Sequence, residues 1–273
     1  MDDQLEPPPR GINLFSTQWR DWLFRLYRFV LSMGNKDFYF EVSRGSVRGH
    51  SPVNKFGSNP SVGTTESVIW TFGPTLQQLT YSTTGDIDTL SSSNAGDTQE
   101  VSVLGLDGNF ERISQTVTLN GQTKVTLATP LIRVHNMRNI GATSFVGNIH
   151  LYVDGAITAG VPDVASTVRG YITNGDNQSL SATYSVPVNT TAFIIFGKTS
   201  VASGKDVVIK FYGRAFGSVF AVEHVVDVNA ENYDYFFKIP LKMPAKSDLE
   251  VRAITAASTA EVSAAFDIVL VED

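Results

Sequence analysis

From Glu66 onward the sequence keeps returning to one pattern. Short runs alternate β-branched or aromatic side chains with polar ones, and Gly, Asn, Asp or Pro bounds each run. Successive side chains of a strand point to opposite faces, so this period of two specifies strands with one buried face and excludes long helices. Strands are expected over 67–72, 77–83, 99–105, 111–119, 122–128, 130–138 and 147–153. A second series is expected over 179–185, 191–197, 206–213, 219–227, 233–239, 249–254 and 261–271. Asn120-Gly121 sits between TVTL and QTKVTL, which predicts a two-residue type I′ hairpin pairing Thr116–Leu119 with Gln122–Leu127. Pro130 suits the start of a strand better than its centre.

Residues 154–170 are small and polar without periodicity, and mark a boundary between the two series. The expected fold class is mainly β: two β-sandwich or jelly-roll-like regions preceded by one N-terminal amphipathic helix. The expected domains are an arm and anchor helix (1–33), a first β-rich domain (34–165) and a self-contained C-terminal sandwich (166–273).

Composition narrows the function classes. There is no cysteine, which removes disulfides, thiolate metal sites and thiol catalysis. No apolar run reaches the roughly 18 residues of a membrane span, and MDDQLEPPPR does not have the form of a secretory leader. Synthesis in a cytoplasm is the expectation. The net charge of −6 is uneven: residues 1–9 carry −3, residues 10–48 carry +4, and the remainder carries −7. The bulk of the chain is therefore not expected to bind nucleic acid directly.

The N-terminal region differs from the rest. Pro7, Pro8 and Pro9 favour an extended arm. Residues 16–33 form the one strong helical pattern, with Ser16 or Thr17 placed to cap it and Gly34 to end it. Phe15, Trp19, Trp22, Leu26, Phe29 and Met33 recur at alternating spacings of four and three, a stripe of large apolar side chains. Leu23, Tyr27 and Val30 widen the stripe, and Arg20, Arg25 and Arg28 lie off it. Three coverings fit such a stripe: the chain's own sheet, a neighbouring subunit or particle component, or a membrane surface. We expect Trp19, Trp22 and Leu26 to be covered mainly by another chain. A short strand is expected at Phe38–Val42, followed by an irregular segment to residue 65 rich in Gly, Ser, Asn and Arg.

Residues that could carry chemistry are scattered. His50, His135, His150 and His224 have no second His within five positions, so no helical zinc pattern exists. Asp86, Asp88, Asp97 and Asp107 lie in turn-like segments without the twelve-residue calcium-loop pattern, and turn aspartates bonding their own backbone explain them better. Phosphate-binding glycine loops and the nucleophile elbow are absent. No catalytic, metal or cofactor residue is assigned, and the chain is not expected to be an enzyme. Tyr233, Tyr235, Phe236 and Phe237 cluster in NYDYFFKIP, where 233, 235 and 237 would share a strand face, either as core packing or as a sugar-stacking platform.

Several segments resemble β-rich virion structural proteins encoded by tailed bacteriophages: GNKDFYFEVSRGSVRGHSPVNKFGSNPSVGTTE at 34–66, DTQEVSVLGLDGNFERISQTVTLNGQTKV at 97–125, PLIRVHNMRN at 130–139 and IPLKMPAKSDLEVRAI at 239–254. The resemblance spans the chain from Gly34 onward and leaves 1–33 as an added anchor. It implies a particle-borne subunit without defined catalytic residues, in the manner of a capsid decoration or head-anchored fibre protein. Its expected partners are other virion proteins of the capsid, neck or tail, together with copies of itself, and its expected location is the virion. A neck or tail accessory protein and a carbohydrate-binding adhesin for host recognition are the alternatives.

Overall fold

The computed structural model describes residues 17–34, 37–202, 204–229 and 232–273. The chain divides into two compact units, Met1–Pro52 and Val53–Asp273.

The first unit holds two helices, α1 (Thr17–Gly34) and α2 (Phe38–Ser43). The bounds of α1 agree with the expected helix. At α2 the expectation of a strand is corrected. The Asp37 carboxylate accepts from the backbone N–H groups of Tyr39 and Phe40, at 2.8 and 3.1 Å. That cap satisfies two of the donors a helix start leaves open, and it overrides the strand propensity of Phe-Tyr-Phe.

The strands follow in order. The first six are β1 (His50–Val62), β2 (Ser67–Val68), β3 (Ile87–Ser92), β4 (Glu100–Asp107), β5 (Arg112–Thr118) and β6 (Val125–Asn139). Next come β7 (Ile149–Val153), β8 (Ile157–Thr158), β9 (Val161–Pro162), β10 (Val168–Ile172) and β11 (Thr183–Ser185). The last six are β12 (Thr190–Val201), β13 (Asp206–Arg214), β14 (Ala221–Asn229), β15 (Asn232–Met243), β16 (Asp248–Thr255) and β17 (Ala260–Glu272). The chain is mainly β, as expected.

Two sheets form a sandwich. One runs β1-β17-β12-β15. The other runs β11-β16-β13-β14, with β2 also on β16. Their inward residues, among them Ile194, Val262, Phe266 and Ile268 from the first and Ile209, Phe211, Leu249 and Val251 from the second, share one core. A curled sheet, β10-β7-β3-β6-β4-β5, encloses a second core around Leu90, Val103, Leu131, Met137, Ile149 and Leu151.

The expected division at 165/166 has no counterpart in this pairing. β1 lies beside β17, and β2 pairs β16 through Val68 and Ser67, so the sandwich takes strands from well before residue 166. A buried polar seam joins the two cores. Arg133 of β6 binds Asp248 of β16, and Lys55 Nζ donates to the His135 carbonyl. The His135 ring donates from Nε2 to the Ser185 carbonyl at 2.9 Å and stacks on Tyr184 at 4.3 Å.

The hairpin expected at Asn120-Gly121 is also corrected. A tight turn is present: Thr123 N–H donates to the Asn120 carbonyl, and Gly121 has φ +54°. The flanking strands do not pair with each other, because β4 lies between β5 and β6 in the sheet. Only Gly121 of the two central residues has positive φ, as in a type II′ turn. A Cβ at Gly121 would lie 2.3 Å from the Ala95 carbonyl oxygen. Gly121→Val therefore meets both a forbidden φ and a backbone clash. It should cost about 2–4 kcal/mol in urea unfolding; a loss under about 0.5 kcal/mol would refute this account. Pro130 lies inside β6 and not at a strand start. The ladder to β3 jumps there from Leu131 to Thr126, so the proline sits in a bulge. The Gln115 side chain takes over both bonds of Thr129, donating to its carbonyl and accepting from its N–H, each at 2.8 Å.

Candidate interaction surface

The residues expected to form an anchor lie in the first unit. On α1, Trp19, Trp22 and Leu26 are half-buried, and the two tryptophans meet edge to face at 5.5 Å. Phe15 lies outside the described residues, as do the side chains of Phe29 and Met33. Arg20 and Arg25 are exposed, consistent with their places off the stripe. Leu23, Phe24 and Tyr27 are also exposed, at 48%, 57% and 60%. The apolar surface thus extends beyond the expected stripe.

α2 adds to it. Its cap fixes a single and a half turns of helix, and Phe38, Tyr39 and Phe40 all remain exposed while Val42 is buried. Glu41 is nearly buried and pairs with Arg44 at 3.1 Å, and the Arg44 guanidinium lies 5.8 Å from the Phe40 ring. Sequence reasoning missed this helix as a contributor. The signal was Asp37, placed to cap directly before an aromatic run.

The dispersed polar candidates find structural duties. The Asp97 carboxylate is buried and accepts from the Ser92 hydroxyl at 2.6 Å and from the N–H groups of Val146 and Gly147 at 2.9 and 2.8 Å. Asp107 accepts from Asn109 and Glu111 N–H, a turn of the kind short acidic side chains favour. Asp88 accepts from the Thr89 hydroxyl, and Asp86 Oδ1 is buried with no hydrogen bond among the described residues. Among the described residues no three His, Asp or Glu gather as a metal site would require.

The histidines are equally separate. The His50 ring bonds the Arg48 carbonyl. Burial, with the nearby Lys55 charge, lowers the pKa of His135 to about 3. Burial among Phe72 and Tyr171 lowers that of His150 to about 4. His224 stacks on Tyr235 at 4.7 Å. Tyr233, Tyr235 and Phe237 line the space between the two sandwich sheets, and Tyr235 is also exposed to solvent. No helix among the described residues is long and apolar enough to cross a membrane.

Comparison with known proteins adds little to this geometry. No protein-family model matches the sequence, and no curated protein is similar to it. Among solved structures, infectious bursal disease virus (Gt strain) aligns over 87% of this chain and 78% of that one, at 11% identity and TM-score 0.21. The cowpea mosaic virus top component, a naturally occurring empty particle, aligns over 71% and 83%, at 8% identity and TM-score 0.21. The infectious bursal disease virus VP2 subviral particle aligns over 83% and 77%, at 12% identity and TM-score 0.19. Scores this low decide neither fold nor function.

Proposed function

We propose that this chain is a structural subunit of a virus particle, attached through its N-terminal helical unit and without catalytic or cofactor chemistry of its own. The observation that carries the reading is the crowding of exposed large apolar side chains into a short stretch: Leu23, Phe24, Tyr27, Phe38, Tyr39 and Phe40. Apolar surface gathered in this way marks a contact site more often than a solvated face. The β-rich body supports it, since broad sheets and loop rims suit packing against symmetry mates. So does the resemblance of 34–66, 97–125, 130–139 and 239–254 to tailed-phage virion proteins. In its finer form the proposal is a capsid decoration or head-anchored fibre protein. Phe15, Trp19, Trp22, Leu26, Phe29 and Met33 would meet another virion component, and the body would associate with copies of itself.

Deleting residues 1–33 tests the reading without touching β1 or anything after it. The truncated chain should stay folded and soluble yet fail to co-sediment with isolated particles. Trp19→Ala with Trp22→Ala should weaken attachment by at least about tenfold, since burying each such side chain is worth roughly 1.5–3 kcal/mol. Normal incorporation of the truncated chain would refute the proposal.

A further inference from the structure

The sandwich interior contains a feature that attachment does not use. Between β12 and β15 on one side and β13 and β14 on the other lies a cavity of about 50 Å³. Its floor is Gly197, where an added Cβ would meet nothing within 4 Å. Its walls are aromatic, chiefly Tyr233, Tyr235, Phe237, Phe211 and Phe266. Two polar atoms at its lining, Thr199 Oγ1 and His224 Nε2, are buried and have no hydrogen-bond partner among the described residues.

A well-packed core leaves neither gaps nor orphaned polar atoms, because each buried unsatisfied group is costly. Here both occur together, at one place in an otherwise apolar lining. The position of the gap is written into the strands. β12 bulges between Ile194 and Phe196, which brings Gly197 into line with Tyr235 on one neighbour and Phe266 on the other. Opposite, His224 of β14 stacks on Tyr235 with an interplanar angle of 29° and meets Phe237 edge-on at 5.6 Å. β14 and β15 each end their sheet among the described residues, so one ladder holds each strand. His224 is half-buried and Tyr235 is exposed, so the stacked pair lies at the solvent side of the cavity.

We propose that this cavity is a binding site for a small neutral aromatic molecule bearing one hydroxyl group. Aromatic walls select a flat ring. Lys198, the lysine of the lining, is solvent-exposed and paired with Asp234, and the other walls are chiefly apolar or aromatic, which favours a neutral ligand. The Thr199 hydroxyl and the His224 imidazole each offer one hydrogen bond to the ligand's hydroxyl. A cavity of roughly 150 Å³ accommodates benzene, so a ring enters this smaller one only when Tyr235 and His224 swing apart, as the edge position of their strands permits.

Phenol is the probe, with benzene as the analogue that lacks the hydroxyl. Titration of the full chain, followed by its melting temperature and by the His224 ring resonances, should saturate with phenol. Benzene should bind about 25-fold to 100-fold more weakly, the worth of two buried hydrogen bonds. Thr199→Val keeps the volume of the wall and should lower phenol affinity about fivefold to tenfold, the worth of one of the two hydrogen bonds, while leaving benzene unchanged. Gly197→Leu fills the cavity and should abolish both responses. The proposal is overturned if phenol produces no saturable change, the two atoms then serving water only. Equal binding of phenol to the wild type and Thr199→Val overturns it too.

Discussion

Asp248→Asn should lower the stability of the chain by about 3–5 kcal/mol, the largest effect expected of any single substitution described. The Asp248 side chain is fully buried. Its carboxylate accepts from Arg133 Nε at 2.6 Å and from the Arg133 terminal nitrogen at 2.9 Å, a paired geometry that fits the guanidinium fork. It also accepts from Arg214 Nε at 3.0 Å and from the Ser185 hydroxyl at 2.6 Å. Arg133 is itself buried, spends another N–H on the Ser82 carbonyl, and lies 5.0 Å from the Tyr81 ring. Asparagine keeps the shape but withdraws the charge, leaving Arg133 uncompensated away from water, and turns an amide donor toward a group that only donates. Urea unfolding measures the loss. Replacing all three charged partners, as Arg133→Met and Arg214→Met with Asp248→Leu, should recover much of it, since the cost lies in stranding charge. A single-variant loss below about 1 kcal/mol would show that the seam between the two cores does not depend on this pair.

Acidification from pH 7 to pH 5 should cost about 2 kcal/mol for each of two histidines, His135 and His150. Their pKa values in the folded chain are lowered to about 3 and about 4, chiefly by burial. The unfolded chain takes up these protons near pH 6.5 and the folded chain does not. Stability is therefore complete above about pH 6.5 and falls as the pH drops below it, until the folded values are reached. Lys55, lowered to about 8 by burial, is protonated in both states between pH 5 and 7 and adds no slope in this window. Urea titrations at the two pH values test this. The double variant His135→Gln, His150→Phe should be nearly flat between them, because Gln still donates to the Ser185 carbonyl and Phe fits among Phe72 and Tyr171. A wild-type stability unchanged between pH 7 and 5 would contradict the assignment.

The second strand series was largely legible in the sequence. β12 to β17 fall where alternating Val, Ile, Phe and Ala placed them, because one face of each packs into a single core and writes a period of two. β1 was not legible. HSPVNKFGSNPSV carries Pro, Gly and Asn that disfavour a strand, and its place at the edge beside β17 comes from a partner some two hundred residues away. The turn at Gly121 was visible while its consequence was not, since sheet pairing chose β4 over the adjacent strand. In the anchor, the spacing of Trp19, Trp22 and Leu26 gave the helix, but the exposed aromatic residues of α2 were hidden behind a strand-like composition. The cavity at Gly197 had no sequence signal, because it depends on a one-residue bulge that only register reveals.

The placement of β17 has a consequence for how the chain is made. It is the last strand in the sequence, yet it lies inside its sheet with β1 on one side and β12 on the other. On a translating ribosome β1 emerges early and waits through the synthesis of every other strand before its neighbour exists. Contacts of such long sequence separation form slowly and leave apolar strand faces uncovered in the meantime. The sandwich therefore cannot close until β17 has been made, and the inner faces of its earlier strands stay uncovered until then.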